Sequence, residues 1–338
     1  MKNWIIAALA VFAVGCTSYE DVVITFDVDD VTAKEVVIVC HNEVNTFILD
    51  EQGHAEAVLD KYDMAYARVF YGMESKWIYF EKGDRASVNF NGRDFASSFV
   101  FEGEKSAAVD YLNRVKLTAL PDEDYALDFK QYHEKIKAKE ADALKLLKAN
   151  SLGSAGNFVK SEEGRIRYSY AAPLLMHPMG YKLMSGNPYY EPDQAYYDVI
   201  TDYMQENLAW VDLEEYRSFI LEAAHVLDPE NRNVASMYPK TVAQMKYIAG
   251  RFKSEKVRNT LLHYLAATYV DRHGIDNIQD LENIYFTYVK DEVLLADYKA
   301  KFDKWDLSRP GKPSPEISAV DIDGKQWTLA DFRGKYIY

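Results

Sequence analysis

From residue 22 to about 101, apolar side chains recur at every second position or in short β-branched runs, and polar turn residues separate the runs. Residues 22–28 alternate in part, and Val36-Val37-Ile38-Val39 closes on Cys40. Phe47-Ile48-Leu49 passes through Asp50-Glu51-Gln52-Gly53 into Ala55-Glu56-Ala57-Val58, which predicts a hairpin. Tyr66-Ala67-Arg68-Val69-Phe70-Tyr71 is aromatic and β-branched. Trp77-Ile78-Tyr79-Phe80 turns at Glu81-Lys82-Gly83-Asp84 into Ala86-Ser87-Val88-Asn89-Phe90, and 97–101 alternates again. About seven short strands with turn signals between them predict an antiparallel β-sandwich.

The period changes near residue 106. Val109, Leu112 and Val115 form a helical stripe, and Tyr125, Phe129, Tyr132 and Ile136 form another that Leu144 and Leu147 continue. Gly153-Ser154-Ala155-Gly156 reads as a turn linking helices. Pro192-Asp193 opens a helix carrying Tyr196, Val199, Ile200 and Tyr203, and a further helix over 213–225 stops at Asp228-Pro229. Later stripes run through Val257, Leu261, Tyr264 and Leu265, through Leu281, Ile284, Tyr285 and Tyr288, and over 293–305. Their spacing is uneven, which speaks against a solenoid of fixed repeats.

A third pattern begins at Arg309-Pro310-Gly311-Lys312-Pro313-Ser314-Pro315-Glu316, a proline-punctuated linker. Ile317, Ala319 and Ile322 then alternate, Asp323-Gly324 marks a turn, and a second run centres on Trp327 and Leu329. Tyr336-Ile337-Tyr338 reads as the first residues of a buried strand. A strand start cannot close a sheet alone, so only the opening edge of a further domain is expected here. The pattern therefore predicts an α+β chain with a β-sandwich domain over 16–104, an all-helical region over 105–306, and a linker with an incomplete domain over 307–338.

The first residues belong to none of these. Met1-Lys2-Asn3-Trp4 carries one basic side chain and precedes an apolar run over 5–14, shorter than the roughly 20 residues that span a bilayer as a helix. Ala13-Val14-Gly15-Cys16 resembles a lipobox, which implies cleavage after residue 15 and lipidation of Cys16. The expectation is an exported lipoprotein held to a membrane of the cell envelope through Cys16. Glu20-Asp21 are compatible with the acidic signals that send some lipoproteins to the cell surface.

Hydrophobic residues make up 48% and charged residues 27%, proportions of a globular chain. The formal net charge of −14 argues against nucleic-acid binding, which needs a basic face. The 26 tyrosines exceed the 16 phenylalanines and 5 tryptophans. They would serve either a binding groove or core packing with the hydroxyl reaching water.

Chemistry is sparse. The seven histidines (His41, His54, His133, His177, His225, His263, His273) form no H-E-x-x-H pair, and two cysteines are too few for a Cys-rich zinc site. Asp27-Val28-Asp29-Asp30 and Asp321-Ile322-Asp323-Gly324 lack the later ligands of a calcium loop and read as turns. With Cys16 assigned to lipid, Cys40 remains, at the end of a β-branched run that reads as core. No catalytic, cofactor-binding or metal-binding residue is assigned.

The C-terminal section adds a resemblance. Pro310-Gly311-Lys312-Pro313-Ser314-Pro315-Glu316-Ile317, then Asp321-Ile322-Asp323-Gly324-Lys325, then Leu329-Ala330-Asp331-Phe332-Arg333-Gly334-Lys335 resemble the opening of TlpA/ResA-like thioredoxin-family disulfide reductases. Ile317 stands where that pattern usually has Phe. Phe99-Val100-Phe101-Glu102-Gly103 resembles the end of the β-rich N-terminal domain that many such lipoproteins carry. The resemblance implies a family reaction of thiol–disulfide exchange, performed by a W-C-x-x-C motif that would follow the strand begun at Tyr336. No residue here matches those cysteines, so these 338 residues are expected to be inactive in that exchange. The rival expectation is a non-catalytic envelope lipoprotein that binds a small ligand or a protein partner, with Tyr181, Tyr189, Tyr190, Tyr196 and Tyr197 as its surface.

Overall fold

The computed structural model describes residues 21–41, 43–152, 156–307, 309, 311–313, 316 and 318–334. The expected signal segment, the lipidation site at Cys16 and the strand start at 336–338 lie outside the described residues. So does the centre of the turn at 153–156.

Among the described residues, eight strands come first: β1 (Val22–Asp29), β2 (Glu35–Cys40), β3 (Glu43–Ile48), β4 (His54–Leu59), β5 (Met64–Tyr71), β6 (Glu74–Glu81), β7 (Arg85–Asn91) and β8 (Val100–Gly103), with a helical turn α1 (Phe95–Ser98) before β8. They form two four-stranded sheets, ordered β4-β1-β7-β8 and β3-β2-β5-β6. The burial of β1 alternates from Ile24 to Asp29, as a strand with one covered face requires. Ile24, Phe26, Val36, Ile38, Ala67, Val69 and Val88 are buried in the core.

Two expectations need correction. The sheets are not wholly antiparallel, because β1 pairs β7 in parallel from Val23↔Arg85 to Asp29↔Asn91. The hairpin expected across Asp50–Gly53 is absent: β3 pairs with β2, and β4 with β1. The turn exists, with Gly53 N–H donating to Asp50 O at 3.1 Å, but it carries the chain from one sheet to the other. It is docked on the end of β1, where Val28 N–H donates to Gly53 O at 3.0 Å. A Cβ on Gly53 would stand 2.3 Å from Val28 O, and φ of +86° favours glycine as well. The turn at 81–84 also links the two sheets, so β7 need not run against β6. Strands that follow one another in the chain thus need not be sheet neighbours.

One residue ties the sheets together. Tyr71 at the end of β5 meets Phe90 of β7 edge to face, with centroids 4.9 Å apart. Its hydroxyl accepts from Thr32 N–H and Ala33 N–H, each at 2.7 Å, in the β1–β2 connection.

Among the described residues, nine further helices follow: α2 (Ser106–Arg114), α3 (Phe129–Ala149), α4 (Gly156–Ser185), α5 (Gln194–Tyr203), α6 (Glu214–Val226), α7 (Met237–Arg251), α8 (Glu255–His273), α9 (Gln279–Tyr288) and α10 (Glu292–Asp306). The helix begins at Phe129, not at Tyr125, because Asp128 caps it by accepting from Gln131 N–H at 2.9 Å. Tyr125 lies in a 3-10 turn, Asp122–Ala126. The chain closes with a small hairpin, β9 (Ser318–Val320) and β10 (Gln326–Thr328). The strands give way to helices near residue 105, but the compact units part elsewhere, into Met1–Tyr190 with Asp212–Tyr216, and Glu191–Val211 with Arg217–Tyr338.

In the first unit α3 and α4 enclose His177, which is fully buried among Tyr125, Phe129, Tyr132 and Tyr181. Its Nε2 lies 3.0 Å from Leu127 O, and a carbonyl only accepts, so Nε2 carries the proton. Nδ1 has no partner. In the second unit His263 joins helices, with Nδ1 2.9 Å from the Tyr285 hydroxyl of α9 and Nε2 3.1 Å from Asp297 of α10. The hydrogen bond from His263, with Lys301 beside it, holds the Asp297 carboxyl down at about 2.

Two predictions follow from these contacts. Tyr71→Phe keeps the ring and leaves two part-buried N–H groups without their acceptor, so urea melts should show a loss of about 1–3 kcal/mol. Burial pushes the His177 pKa down from its ordinary value. The unfolded chain therefore takes up the proton first as pH falls. The stability from neutral His177 is complete above about 6.5 and declines as pH drops through that value toward the depressed folded one. Urea midpoints should fall between pH 7 and pH 5, and His177→Gln should flatten that slope while lowering stability throughout.

Candidate functional site

The outer face of the β5–β6 pair positions the candidate site. Cross-strand register sets Tyr66 opposite Tyr79, Arg68 opposite Trp77 and Phe70 opposite Ser75. These residues share the face turned away from the core, since Ala65, Ala67 and Val69 alternate inward. At one end the face is covered by α4. Phe158 lies 4.9 Å from the Tyr79 ring and 6.0 Å from the Tyr66 ring, and both Phe158 and Tyr79 are fully buried. Ser161 Oγ donates to Phe158 O at 3.0 Å, so the Tyr66 hydroxyl 2.9 Å away is the donor to Ser161.

At the other end, the face opens into a cavity of about 520 Å³. Its floor is Tyr66, Arg68, Ser75 and Trp77, and α2 with the residues after it adds Leu112, Asn113, Val115 and Leu117. β6 is the outer strand of its sheet, and such an edge invites unwanted pairing. Asn113 takes the place of a neighbouring strand: Oδ1 accepts from Trp77 N–H at 2.9 Å and Nδ2 donates to Trp77 O at 2.8 Å. Trp77 is thereby fixed by its backbone while its side chain stays in part exposed, at 38% for the residue.

The back wall is ionic. Arg165 of α4 grips Glu162 with two parallel bonds, Nε to Oε2 at 2.6 Å and Nη2 to Oε1 at 2.7 Å. The Glu162 side chain is fully buried and that of Arg165 is 17% exposed. Burial opposes the charge on Arg165, but the fork to Glu162 outweighs it and the guanidinium stays protonated. Glu215 lines the same cavity, and burial pushes its carboxyl up, against the pull of Arg165. Arg68 lies 5.3 Å from the centroids of both the Trp77 and the Phe70 rings and donates to Ser75 Oγ.

Residues singled out in the sequence are placed elsewhere. Cys40 is buried in β2, and burial raises its thiol to about 12, so it is not a thiolate at neutral pH. Tyr196 is buried, Tyr181 and Tyr190 pack with centroids 4.4 Å apart, and Tyr189 is exposed at 89%. The binding-surface tyrosines therefore do not form one exposed group. Among the described residues, no three His, Cys, Asp or Glu side chains converge as metal ligands would, and no helix is long and apolar enough to cross a membrane. Sequence reading missed Arg68, Trp77, Arg165 and Glu215 as a group. Only Arg68-x-Phe70 on the alternating strand β5, and Trp77 at the start of the apolar run of β6, hinted at an aromatic–cationic face.

The Asp321 turn of the C-terminal hairpin is a separate small structure. Its carboxylate accepts from Asp323 N–H at 3.0 Å, Lys325 N–H at 2.9 Å and Trp327 Nε1–H at 2.8 Å. Gly324 sits at φ +81°, and Lys325 Nζ lies 3.6 Å from the Trp327 ring centroid. Thr328 and Asp331 form a capping box for the 3-10 turn Leu329–Phe332.

The chain matches no model of a known protein family, no curated protein and no solved structure.

Removing Glu162 would leave the Arg165 guanidinium buried without its fork. Glu162→Leu should cost about 3–5 kcal/mol in chemical denaturation.

Proposed function

We propose that this chain belongs to an exported, lipid-anchored protein of the cell envelope, of the TlpA-type thioredoxin-like family, acylated at Cys16. In this reading the β-sandwich over 16–104 and the helices over 105–306 precede the opening of a thioredoxin-like domain at 307–338. The observation that carries it is the Asp321 turn. The D-x-D-G-K residues that bear the resemblance make a closed set of bonds among themselves, with Gly324 in the left-handed region the turn needs. The Thr328–Asp331 box then starts the L-x-D-F segment as a helical turn. Cys40, buried and held near 12, does not perform exchange in place of the family's cysteines. The buried thiol thus supports the expectation that residues 21–334 contribute no thiol chemistry.

A second reading is a ligand-binding envelope lipoprotein without catalysis. The cavity on the β5–β6 face favours it, since 520 Å³ falls in the range of about 300–1,000 Å³ common for small-molecule sites.

Metabolic labelling with a palmitate analogue tests the anchor. The chain should be labelled and Cys16→Ser should not be, and an unlabelled wild-type chain sinks the lipoprotein reading. The 338-residue chain should leave insulin disulfides unreduced in the presence of dithiothreitol beyond the uncatalysed rate. Turnover that survives Cys40→Ala but not Cys16→Ser would overturn the assignment of Cys16 to lipid.

A further inference from the structure

Charge in the cavity runs against charge in the chain. The formal net charge is −14, yet the charged residues lining the cavity are Arg68, Lys76, Lys116 and Arg165 against Glu215 alone. Arg165 is neutralised behind the wall by Glu162. Arg68 is different. It is exposed, and its contacts are the rings of Phe70 and Trp77 and one bond to Ser75 Oγ. A guanidinium carries five N–H donors in a fork that fits a carboxylate with two parallel bonds. Its place over Phe70 and Trp77 and its bond to Ser75 restrict the guanidinium before any ligand arrives, which lowers the cost of ordering it.

The remaining surface selects what accompanies the anion. Trp77 offers a partly exposed aromatic face held by Asn113, and Leu112, Val115 and Leu117 add apolar wall. A bare inorganic anion would leave this wall without a partner. A neutral sugar would leave the cations without one. We infer that the cavity on the outer face of β5 and β6 binds a small organic carboxylate with a flat apolar body, its carboxylate on Arg68 and its body against Trp77. This rests on the second reading above, that the cavity holds a ligand at all. Lys76 and Lys116 add long-range attraction for the anion, a contribution that salt weakens.

Titration calorimetry of the full chain with indole-3-acetate, indole-3-acetamide and sodium sulfate tests the inference, at about 10 mM ligand where even a Kd of about 1 mM gives near saturation. Indole-3-acetate should bind, and the amide should bind about ten-fold more weakly or worse. Arg68→Gln, on an exposed side chain, should weaken indole-3-acetate about ten-fold and leave the amide unchanged, with circular dichroism matching the parent. Trp77→Ala should weaken both, and sulfate should not compete at equal concentration. Equal binding of acid and amide, or an unchanged affinity in Arg68→Gln, overturns the carboxylate assignment and leaves a binding cavity. Sulfate competing as well as the carboxylate overturns the role of the apolar body. No binding by either indole ligand overturns both the assignment and the ligand-binding reading.

Discussion

The packing of Phe158 against the paired rings of Tyr66 and Tyr79 is the contact on which the first unit depends. A sheet whose inner face is already committed to a core usually turns a polar face to water. Here β5 and β6 put tyrosines on the outer face, and α4 covers one end of it with an aromatic side chain fully removed from solvent. Aromatic pairs at this separation add to the gain from burial alone. Once Phe158 is placed, helical spacing puts Ser161, Glu162 and Arg165 along the same surface. The hydroxyl of Tyr66 is satisfied by the first of these, and its ring lies 5.8 Å from the guanidinium of the last. The cover stops short of Arg68 and Trp77, and the cavity is what it leaves open.

That incomplete cover explains the electrostatics. A buried carboxylate needs a partner, and Glu162 finds a bidentate one three residues along its own helix. This local pair neutralises the wall before the sheet is considered, so Arg68 is not required for charge balance. Its place on Trp77 and Phe70 is set by cross-strand register. Glu215 is then the one carboxylate lining a cavity whose other charged residues are basic, and burial makes it easier to neutralise.

How much of this could be read from the sequence depended on whether the information was local. Strands 22–28 and 36–40 and the helices over 194–203, 214–226 and 255–273 were legible because period and breakers are written in adjacent residues. Strand pairing was not. A Gly-containing turn of four residues serves a hairpin or a crossing between sheets, and here it crosses because β3 pairs with β2 while β4 pairs with β1, a partner distant in the chain. α4 was missed because its apolar residues are spread around the helix and it contains Pro173 and Pro178, which read as breakers. The cavity was illegible for a topological reason: residues 66–77, 112–117, 165 and 215 are far apart in the chain. The Asp321 turn was legible for the opposite reason, as its bonds all fall within a few residues.

The same distinction separates the two functional readings physically. The Asp321 turn owes its geometry to its own carboxylate, glycine and capping box, and the apolar side chains of its hairpin are poorly covered, with Val320 63% exposed. A hairpin of this kind is marginal without a larger apolar surface to cover. The cavity owes its geometry to a sheet edge blocked by Asn113, a helix anchored by Phe158 and a buried ion pair, none of which involves a thiol. A redox domain would have no need of an aromatic–cationic cleft on a separate sheet, and a binding cleft would have no need of the D-x-D-G-K turn. Each feature is built at some cost in stability, through an exposed Trp77 in one case and exposed Val320 and Ile322 in the other. The two features are physically independent: the turn is held by bonds within a few residues, the cleft by contacts between residues far apart in the chain.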